Sequence, residues 1–288
     1  MNILVIGGTR FFGIHMVNRL LSDGHAVTIA TRGNTGDPFG GMVNRITVDR
    51  TDLQDMREKF RGMHFDAVID KVAYSSNDVK SAMEAIICDQ YIYTSSAAIY
   101  QPKHKDLGED DFDGSAGNLV WCSRADFSYA EVKRQAEYAL WQEYSHRNWI
   151  AVRYPVVLGE DDYTKRLSFY VEHVVNSIPM NIGNLDQQMC YIRSEEAGEF
   201  MAFLAGKGFR GAVNGCSQGS ISPGEVIAYV ERKTGRKAIL TAGGEDAPYN
   251  GEAEYTLNTD RARELGFRFT NLNDWIFDLL DYYIMRLK

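Results

Sequence analysis

Two residues four positions apart could carry out acid–base chemistry: Tyr129 and Lys133, in the segment Tyr-Ala-Glu-Val-Lys. On a helix this spacing places both side chains on one face. A lysine ammonium beside a phenol favours the phenolate and lowers the phenol pKa from about 10. Tyr129 is therefore a candidate general acid or base near neutral pH, with Lys133 adjusting its pKa.

The same spacing recurs at Tyr229 and Lys233, so the spacing alone does not identify a site. The later pair lies in residues 223–234, whose amphipathic pattern is typical of a packed helix, and we interpret it as structural. The earlier pair follows a predicted strand that ends in the hydroxyl-bearing residues 94–96. Because α/β sheets bind ligands at the carboxyl ends of their strands, this context favours Tyr129 and Lys133 as catalytic residues.

A glycine-rich segment, residues 7–13, follows the apolar strand 3–6 and precedes an amphipathic helix. In this context backbone N–H groups can face a pyrophosphate, and the helix dipole adds attraction. Gly7 permits a tight turn, and Gly13 lets the helix pack close to the strand. The turn predicts a dinucleotide site, whose other candidate contacts are Thr9, Arg10, Phe11 and Phe12.

The residues after the second predicted strand, 26–30, bear on which dinucleotide is bound. They include no acidic residue to hold a ribose 2′-hydroxyl, but they do include Arg32. Arg10 occupies the usual middle-glycine position, so two guanidinium groups could hold a 2′-phosphate. This pattern favours NADP, while NAD, with Arg32 as a solvated turn residue, stays an alternative. After the third strand, Asp49 could accept the adenine amino group, and Arg50 beside it is a further candidate contact.

The elements that must position these residues alternate regularly over residues 1–159. Apolar strands and amphipathic helices in turn predict an α/β Rossmann fold, a doubly wound parallel sheet covered on both faces. After Gly159 the alternation loosens. We therefore expect a dinucleotide-binding domain over 1–159 and a smaller C-terminal substrate-binding lobe over 160–288, from which about 191–214 return to the main sheet.

Composition excludes several classes of protein. The formal net charge is −8, which argues against a nucleic-acid partner. No apolar run reaches about 18 residues, so the sequence predicts no membrane span. The four cysteines are far apart and show neither disulfide nor zinc spacing, so we expect reduced thiols, a cytoplasmic location and no metal.

Taken together, the motifs resemble a known family. GGTRFFG, the Asp49/Asp52 pair, TSSAAIY, YAEVK and RYPVVLG occur in the order found in extended short-chain dehydrogenases/reductases of the NAD(P)-dependent epimerase/dehydratase type. The GGTRFFG form resembles the branch that holds bacterial epimerases and the plant chloroplast stem-loop-binding proteins. The resemblance implies an enzyme that acts on a hydroxyl group of a sugar or nucleotide sugar by tyrosine-assisted hydride transfer, either as an epimerase or as a simple oxidoreductase.

The resemblance also implies roles for individual residues. Ser96 would bind the substrate oxygen, Tyr129 would move its proton, and Lys133 would hold the nicotinamide ribose. A pocket would form between the lobe and the carboxyl edge of the sheet, and a homodimer would use the helix of Tyr129. Further cofactor contacts would come from Val72, Ala73, Thr94 and Pro155, and substrate contacts from Tyr74, Ser75, Val156 and Arg193.

Some positions depart from the family pattern. Ala97 and Ala98 stand where dehydratases of this type carry Asp-Glu, which argues against dehydration. Met189 and Cys190 stand before Tyr-Ile, where epimerases that grip a nucleotide pyrophosphate usually have an arginine. The alternative is a non-catalytic NADP-binding or RNA-associated protein of the stem-loop-binding type.

Overall fold

A computed structural model describes residues 1–287 of the chain. The strands are β1 (Asn2–Ile6), β2 (Ala26–Thr31), β3 (Asn44–Thr47), β4 (His64–Asp70), β5 (Ile87–Ser96), β6 (Trp149–Tyr154), β7 (Val156–Leu158), β8 (Met180–Asn181), β9 (Tyr191–Arg193), β10 (Gly211–Asn214) and β11 (Glu245–Asp246). The α-helices are α1 (Phe12–Ser22), α2 (Leu53–Lys59), α3 (Ser76–Ala85), α4 (Tyr129–Tyr138), α5 (Ser168–Asn176), α6 (Ser194–Leu204), α7 (Pro223–Thr234), α8 (Asp260–Glu264) and α9 (Ile276–Arg286).

Seven of these strands form one sheet in the order β10-β6-β5-β4-β1-β2-β3, and every neighbouring pair is parallel. The strand order reverses direction between β1 and β4. A reversal of this kind leaves a crevice beyond the carboxyl ends of the two strands, which is the usual ligand site of such sheets. The predicted doubly wound Rossmann fold is confirmed.

The sheet is covered on both faces because its inner strands, such as β1 and β6, are apolar on both faces. In β1 the residues Ile3 and Val5 face one hydrophobic cluster, with Met16 of α1, while Leu4 and Ile6 face another. Burying both faces of a strand removes its apolar surface from water, at roughly 25 cal/mol for each Å².

The lobe after β7 has a hydrophobic cluster of its own, in which α5, α7 and α9 pack together. Val171, Val174, Val230, Ile276 and Leu280 are at its centre. The predicted division into two domains near residue 160 stays a prediction.

The helix that begins at Tyr129 is α-helical only to Tyr138, and Ala139–Glu143 continues it as a wider π-helical turn. The segment 191–214, expected to return to the main sheet, does so only in part. Its last strand, β10, joins that sheet beside β6, whereas β9 pairs with β7 in a separate two-stranded sheet.

A fully buried ion pair links α4 to the sheet. Arg153 of β6 donates from Nε and Nη2 to the Glu137 carboxylate at 3.0 and 2.6 Å, and both side chains are 0% exposed. Ser95 of β5 donates to the same carboxylate at 2.5 Å. The third guanidinium nitrogen donates to the Tyr100 hydroxyl and the Glu109 carbonyl. The network therefore joins α4, β5, β6 and the loop after β5.

None of the helices in residues 1–287 combines the length and apolar character that crossing a membrane requires. All four cysteines are free thiols. The reducing location inferred from them stays a prediction.

Removing one partner of the buried pair should destabilise the fold strongly. Arg153→Met leaves the Glu137 carboxylate buried without its cation, and we expect a loss of about 3–5 kcal/mol in the free energy of unfolding. Urea denaturation measures this loss. As a control, Lys233→Met breaks the partly exposed pair with Asp281 and should cost less than about 1 kcal/mol. Equal losses in both variants would contradict the importance of the buried pair.

Candidate active site

The turn between β1 and α1 has the geometry of an anion cradle. Gly7 and Gly8 have φ of 99° and 93°, in the left-handed region that favours glycine. A Cβ at Gly13 would lie 2.8 Å from both the Gly8 Cα and the Lys71 Cδ, so only glycine fits there. The first turn of α1 carries no acidic residue. The amino end of the helix can therefore accept a phosphate without charge repulsion.

The two predicted 2′-phosphate ligands lie on the surface near this turn. Arg10 donates from Nη2 to the Thr35 hydroxyl at 2.9 Å, which ties the glycine turn to the segment after β2. Asp49 accepts hydrogen bonds from the Thr51 hydroxyl and N–H at 2.7 and 2.9 Å. These bonds and the Arg32 charge hold the pKa of Asp49 below its ordinary value. Asp49 is thus an ionised acceptor beside Arg32, and its predicted adenine contact stays a prediction.

Arg50 differs from its predicted role. Its guanidinium is nearly buried and donates to the Asp70 carboxylate at 2.9 Å and to the Asp78 carbonyl at 2.8 Å. Asp70 also accepts from the Ala73 N–H and the Tyr91 hydroxyl, at 2.9 and 3.0 Å. The guanidinium therefore holds the turn after β4 and is not available to a cofactor, which corrects the expectation.

The structure brings Ser96, Tyr129 and Lys133 together. Ser96 ends β5, Tyr129 begins α4, and both side chains line one cavity, where the Ser96 hydroxyl acts to lower the Tyr129 pKa. Lys133 lies one helical turn later and is 3% exposed. Its Nζ donates to the carbonyls of Ala73 and Thr94 at 2.8 and 2.6 Å, and burial lowers its pKa to about 7.

The prediction that Lys133 lowers the pKa of Tyr129 is wrong for this arrangement. The Tyr129 side chain is half exposed, but its pKa is raised, because desolvation of the hydroxyl outweighs the effects of the Ser96 hydroxyl and of the Arg166 and Arg124 charges. The Lys133 ammonium lies 6.0 Å from the Tyr129 ring centroid and is occupied by two backbone carbonyls. In this structure Tyr129 is therefore a neutral hydroxyl, and the two arginines are the cations that favour its ionisation.

These residues face one cavity of about 470 Å³, within the size range of small-molecule sites. It lies at the carboxyl edge of the sheet, between the glycine turn and the C-terminal lobe. Its lining includes these predicted residues: Phe11, Phe12, Tyr74, Thr94, Ser96, Tyr129, Lys133, Pro155 and Val156. Val72 lies behind the turn, where its Cγ1 would be 2.9 Å from a Cβ at Gly7.

Two predicted substrate residues lie outside this cavity. Arg193 is exposed at the junction of β9 and α6 and forms an ion pair with Glu195 at 2.9 Å. Ser75 is buried at the N-cap of α3, where its hydroxyl accepts from the Asp78 N–H. The prediction that they line the pocket is wrong, because local partners fix both side chains.

The second Tyr–Lys pair also lies elsewhere. Tyr229 packs against Phe277 with ring centroids 4.7 Å apart, and Lys233 donates to Asp281 at 2.7 Å. Both contacts join α7 to α9, as expected for a structural pair.

Several cavity residues were not predicted. Lys71 directly follows β4, and its Nζ lies 4.4 Å from the Phe12 ring centroid. Burial lowers its pKa to about 8, against the opposing charge of Asp161. A lysine directly after a strand that ends near the glycine turn is a signal that could have identified it. Arg124, Arg166 and Tyr249 come from irregular segments, and no sequence pattern indicates them.

Comparisons with known proteins agree with this architecture. The family model described as "NAD dependent epimerase/dehydratase family" matches residues 3–86, which confirms the resemblance drawn from the motifs. A curated relative, the chloroplast stem-loop binding protein of 41 kDa b from Arabidopsis thaliana, is 32% identical over 112 residues. That match covers 34% of this chain and only 30% of the relative.

Solved structures share the fold along the whole chain. A candidate epimerase from Burkholderia cenocepacia J2315 matches with a TM-score of 0.77 at 21% identity, covering 99% of this chain and 98% of that one. The UDP-glucose 4-epimerase of Thermotoga maritima, solved with UDP-glucose, matches with a TM-score of 0.77 at 16% identity and full coverage of both chains. The UDP-glucose 4-epimerase of Thermus thermophilus, solved with NAD, matches with a TM-score of 0.71 at 18% identity, covering 98% and 99%.

Lys71 should give stability a specific pH dependence. Its folded-state pKa of about 8 lies below the ordinary 10.5, so the cost of burying the charge is present in full below pH 8 and disappears towards pH 10.5. Lys71→Met should therefore raise the free energy of unfolding at pH 7 by about 1–3 kcal/mol. This gain should shrink as the pH rises from 8 to 10, as measured by urea denaturation.

The exposed Lys59→Met is the matched control, and its effect should not change over this range. A gain from Lys71→Met that stays constant with pH would contradict the burial of its charge.

Proposed function

We propose that this chain binds a nicotinamide dinucleotide, NADP by preference, and acts on a hydroxyl-bearing substrate, a sugar or a nucleotide sugar, as an epimerase or oxidoreductase. One observation carries the proposal: Ser96, Tyr129 and Lys133 meet in a cavity that begins at the glycine turn. Hydroxyl, phenol and ammonium groups at the switch point of a doubly wound sheet are suited to moving a substrate proton.

The residues around the turn fit the proposed cofactor. Gly7, Gly8 and Gly13 leave room for a pyrophosphate at the amino end of α1, and Arg10 and Arg32 are exposed where a 2′-phosphate could be held. The family description names NAD, and the Thermus thermophilus relative was solved with it. When bound, the cofactor supplies the hydride acceptor and donor.

The protein's own residues would handle the proton. Ser96 donates a hydrogen bond to the substrate oxygen, and Tyr129, once ionised, takes the proton of that hydroxyl as the hydride leaves the same carbon. Lys133 stays fixed by the Ala73 and Thr94 carbonyls and supports the site beside Tyr129. In epimerisation Tyr129 would also return the proton to the substrate oxygen. In simple oxidation the ketone is released, so the same residues serve both reactions.

The Arabidopsis relative supports a second candidate, an RNA-associated protein without catalysis. The net charge of −8 disfavours it, because RNA affinity depends on contacts from Lys and Arg to phosphates. An electrophoretic shift with a stem-loop RNA, together with no turnover on any sugar, would favour this candidate over the enzyme. The homodimer expected from the resemblance also stays a proposal, which light scattering would test.

NADPH should bind more tightly than NADH, by about tenfold or more, since charge-assisted hydrogen bonds contribute about 1.5–3 kcal/mol. Fluorescence titration of both cofactors measures the ratio. Arg32→Ala should reduce the affinity for NADPH and leave that for NADH nearly unchanged. Arg19→Ala, which removes an exposed ion pair with Asp23, is the control and should change neither. Equal affinities in the unmodified protein would refute the NADP preference.

Tyr129→Phe should abolish turnover while cofactor affinity is retained, because only the proton-transfer group is lost. A general acid or base contributes about 10²- to 10⁴-fold, so a loss of that size is expected. Reduction of the bound cofactor over a panel of sugars and nucleotide sugars is the assay. Tyr229→Phe is the matched control, and its activity should stay close to that of the unmodified protein. A reversed result would place the catalytic pair on α7.

A further inference from the structure

The cavity around Tyr129 is strongly unbalanced in charge. Its lining contains one acidic side chain, Glu252, and these five basic ones: Lys71, Lys103, Arg124, Lys133 and Arg166. Glu252 is already paired with Lys103, at 2.5 Å between Nζ and Oε2. Lys133 is occupied by two backbone carbonyls. Positive charge without a counter-charge therefore remains in the cavity.

Two of these cations are arginines close to the reacting group. The Arg124 guanidinium lies 3.8 Å from the Tyr74 ring centroid, and Tyr74 contacts Tyr129 edge to face, with ring centroids 6.2 Å apart. Arg166 approaches from the loop between β7 and α5, with its guanidinium 6.0 Å from the Tyr249 ring centroid. Among residues 1–287, neither arginine has a carboxylate within ion-pair distance.

The two arginines reach Tyr129 from different parts of the fold. Arg124 belongs to the long loop between β5 and α4, and Arg166 to the segment that starts the C-terminal lobe. Both side chains line the same cavity as Tyr129, and the charge of each acts to lower the pKa of the Tyr129 hydroxyl. The Tyr74 ring lies close against the Arg124 guanidinium and the Tyr249 ring lies farther from that of Arg166, and contacts of this kind with a ring face leave the N–H groups able to bind a ligand.

We propose that the substrate carries an anionic group, a carboxylate or a phosphate, within a few bonds of the hydroxyl that reacts, and that Arg124 and Arg166 bind this group from both sides. The proposal rests on the proposed function, because it takes Tyr129 as the proton-transfer residue. A guanidinium presents a planar fork that matches carboxylate and phosphate oxygens. A neutral sugar at the same place would leave both guanidinium groups without a counter-charge in a partly desolvated cavity, which is costly.

The test is direct binding to the protein saturated with NADP, measured by calorimetry. Glucuronate and glucose 6-phosphate are the acidic probes, and glucose is the neutral control of the same ring. We expect at least one acid to bind ten times more tightly than glucose. The acid that binds identifies whether the site prefers a carboxylate or a phosphate.

Two variants assign the effect to the arginines. Arg124→Gln and Arg166→Gln should each weaken binding of the preferred acid about tenfold or more, with glucose affinity, NADP affinity and melting temperature unchanged. Arg193→Gln removes an exposed arginine outside the cavity and should change none of these values.

The other outcomes would each overturn the inference. If neither acid binds more tightly than glucose, or if neither acid binds at all, the proposal that the substrate carries an anionic group is refuted. If the preference for the acid is the same in both variants, Arg124 and Arg166 do not bind the anionic group. If either variant loses affinity for NADP, that arginine binds the cofactor instead. Failure of the protein to bind NADP and NAD in a separate titration would instead refute the proposed function.

Discussion

The site depends on the ion pair between Arg153 and Glu137. Glu137 lies one helical turn after Lys133 on α4, and it also accepts the hydroxyl of Ser95, the neighbour of Ser96. One buried carboxylate therefore fixes the helix that carries Tyr129 and Lys133 against the strand that carries Ser96. Both charges are completely buried, so the pair is held only while all its hydrogen bonds are made.

This packing produces a site that contains several cationic side chains and in which burial shifts the pKa values of two lysines and one tyrosine. Burial lowers the pKa of Lys133 to about 7 and that of Lys71 to about 8, while it raises that of Tyr129. Such shifts are typical of functional sites, where burial and neighbouring charges adapt groups to proton transfer. In this arrangement the charges that favour the tyrosinate come from Arg124 and Arg166, which also gives these arginines a place in the proposed recognition of an anion.

Three residues show why some sequence predictions failed. Arg50 was expected to contact the cofactor, and Ser75 and Arg193 were expected to contact the substrate. Each side chain has a nearer partner: Asp70 for Arg50, the Asp78 N–H for Ser75, and Glu195 for Arg193. A motif fixes the position of the backbone, but the direction of a long or polar side chain depends on which partner lies within reach.

The sequence by itself determined the alternation of strands and helices, the glycine turn, and the spacing of Tyr129 and Lys133 on one helical face. These features are local, because the side-chain periodicity of strands and helices and the conformation of a turn act over a few residues. Only the tertiary structure decided that the Lys133 ammonium binds two carbonyls and that Arg124 and Arg166 converge on Tyr129. Segments far apart in the chain meet there, and the packing of irregular loops, which follows no period, decides which side chains share a cavity.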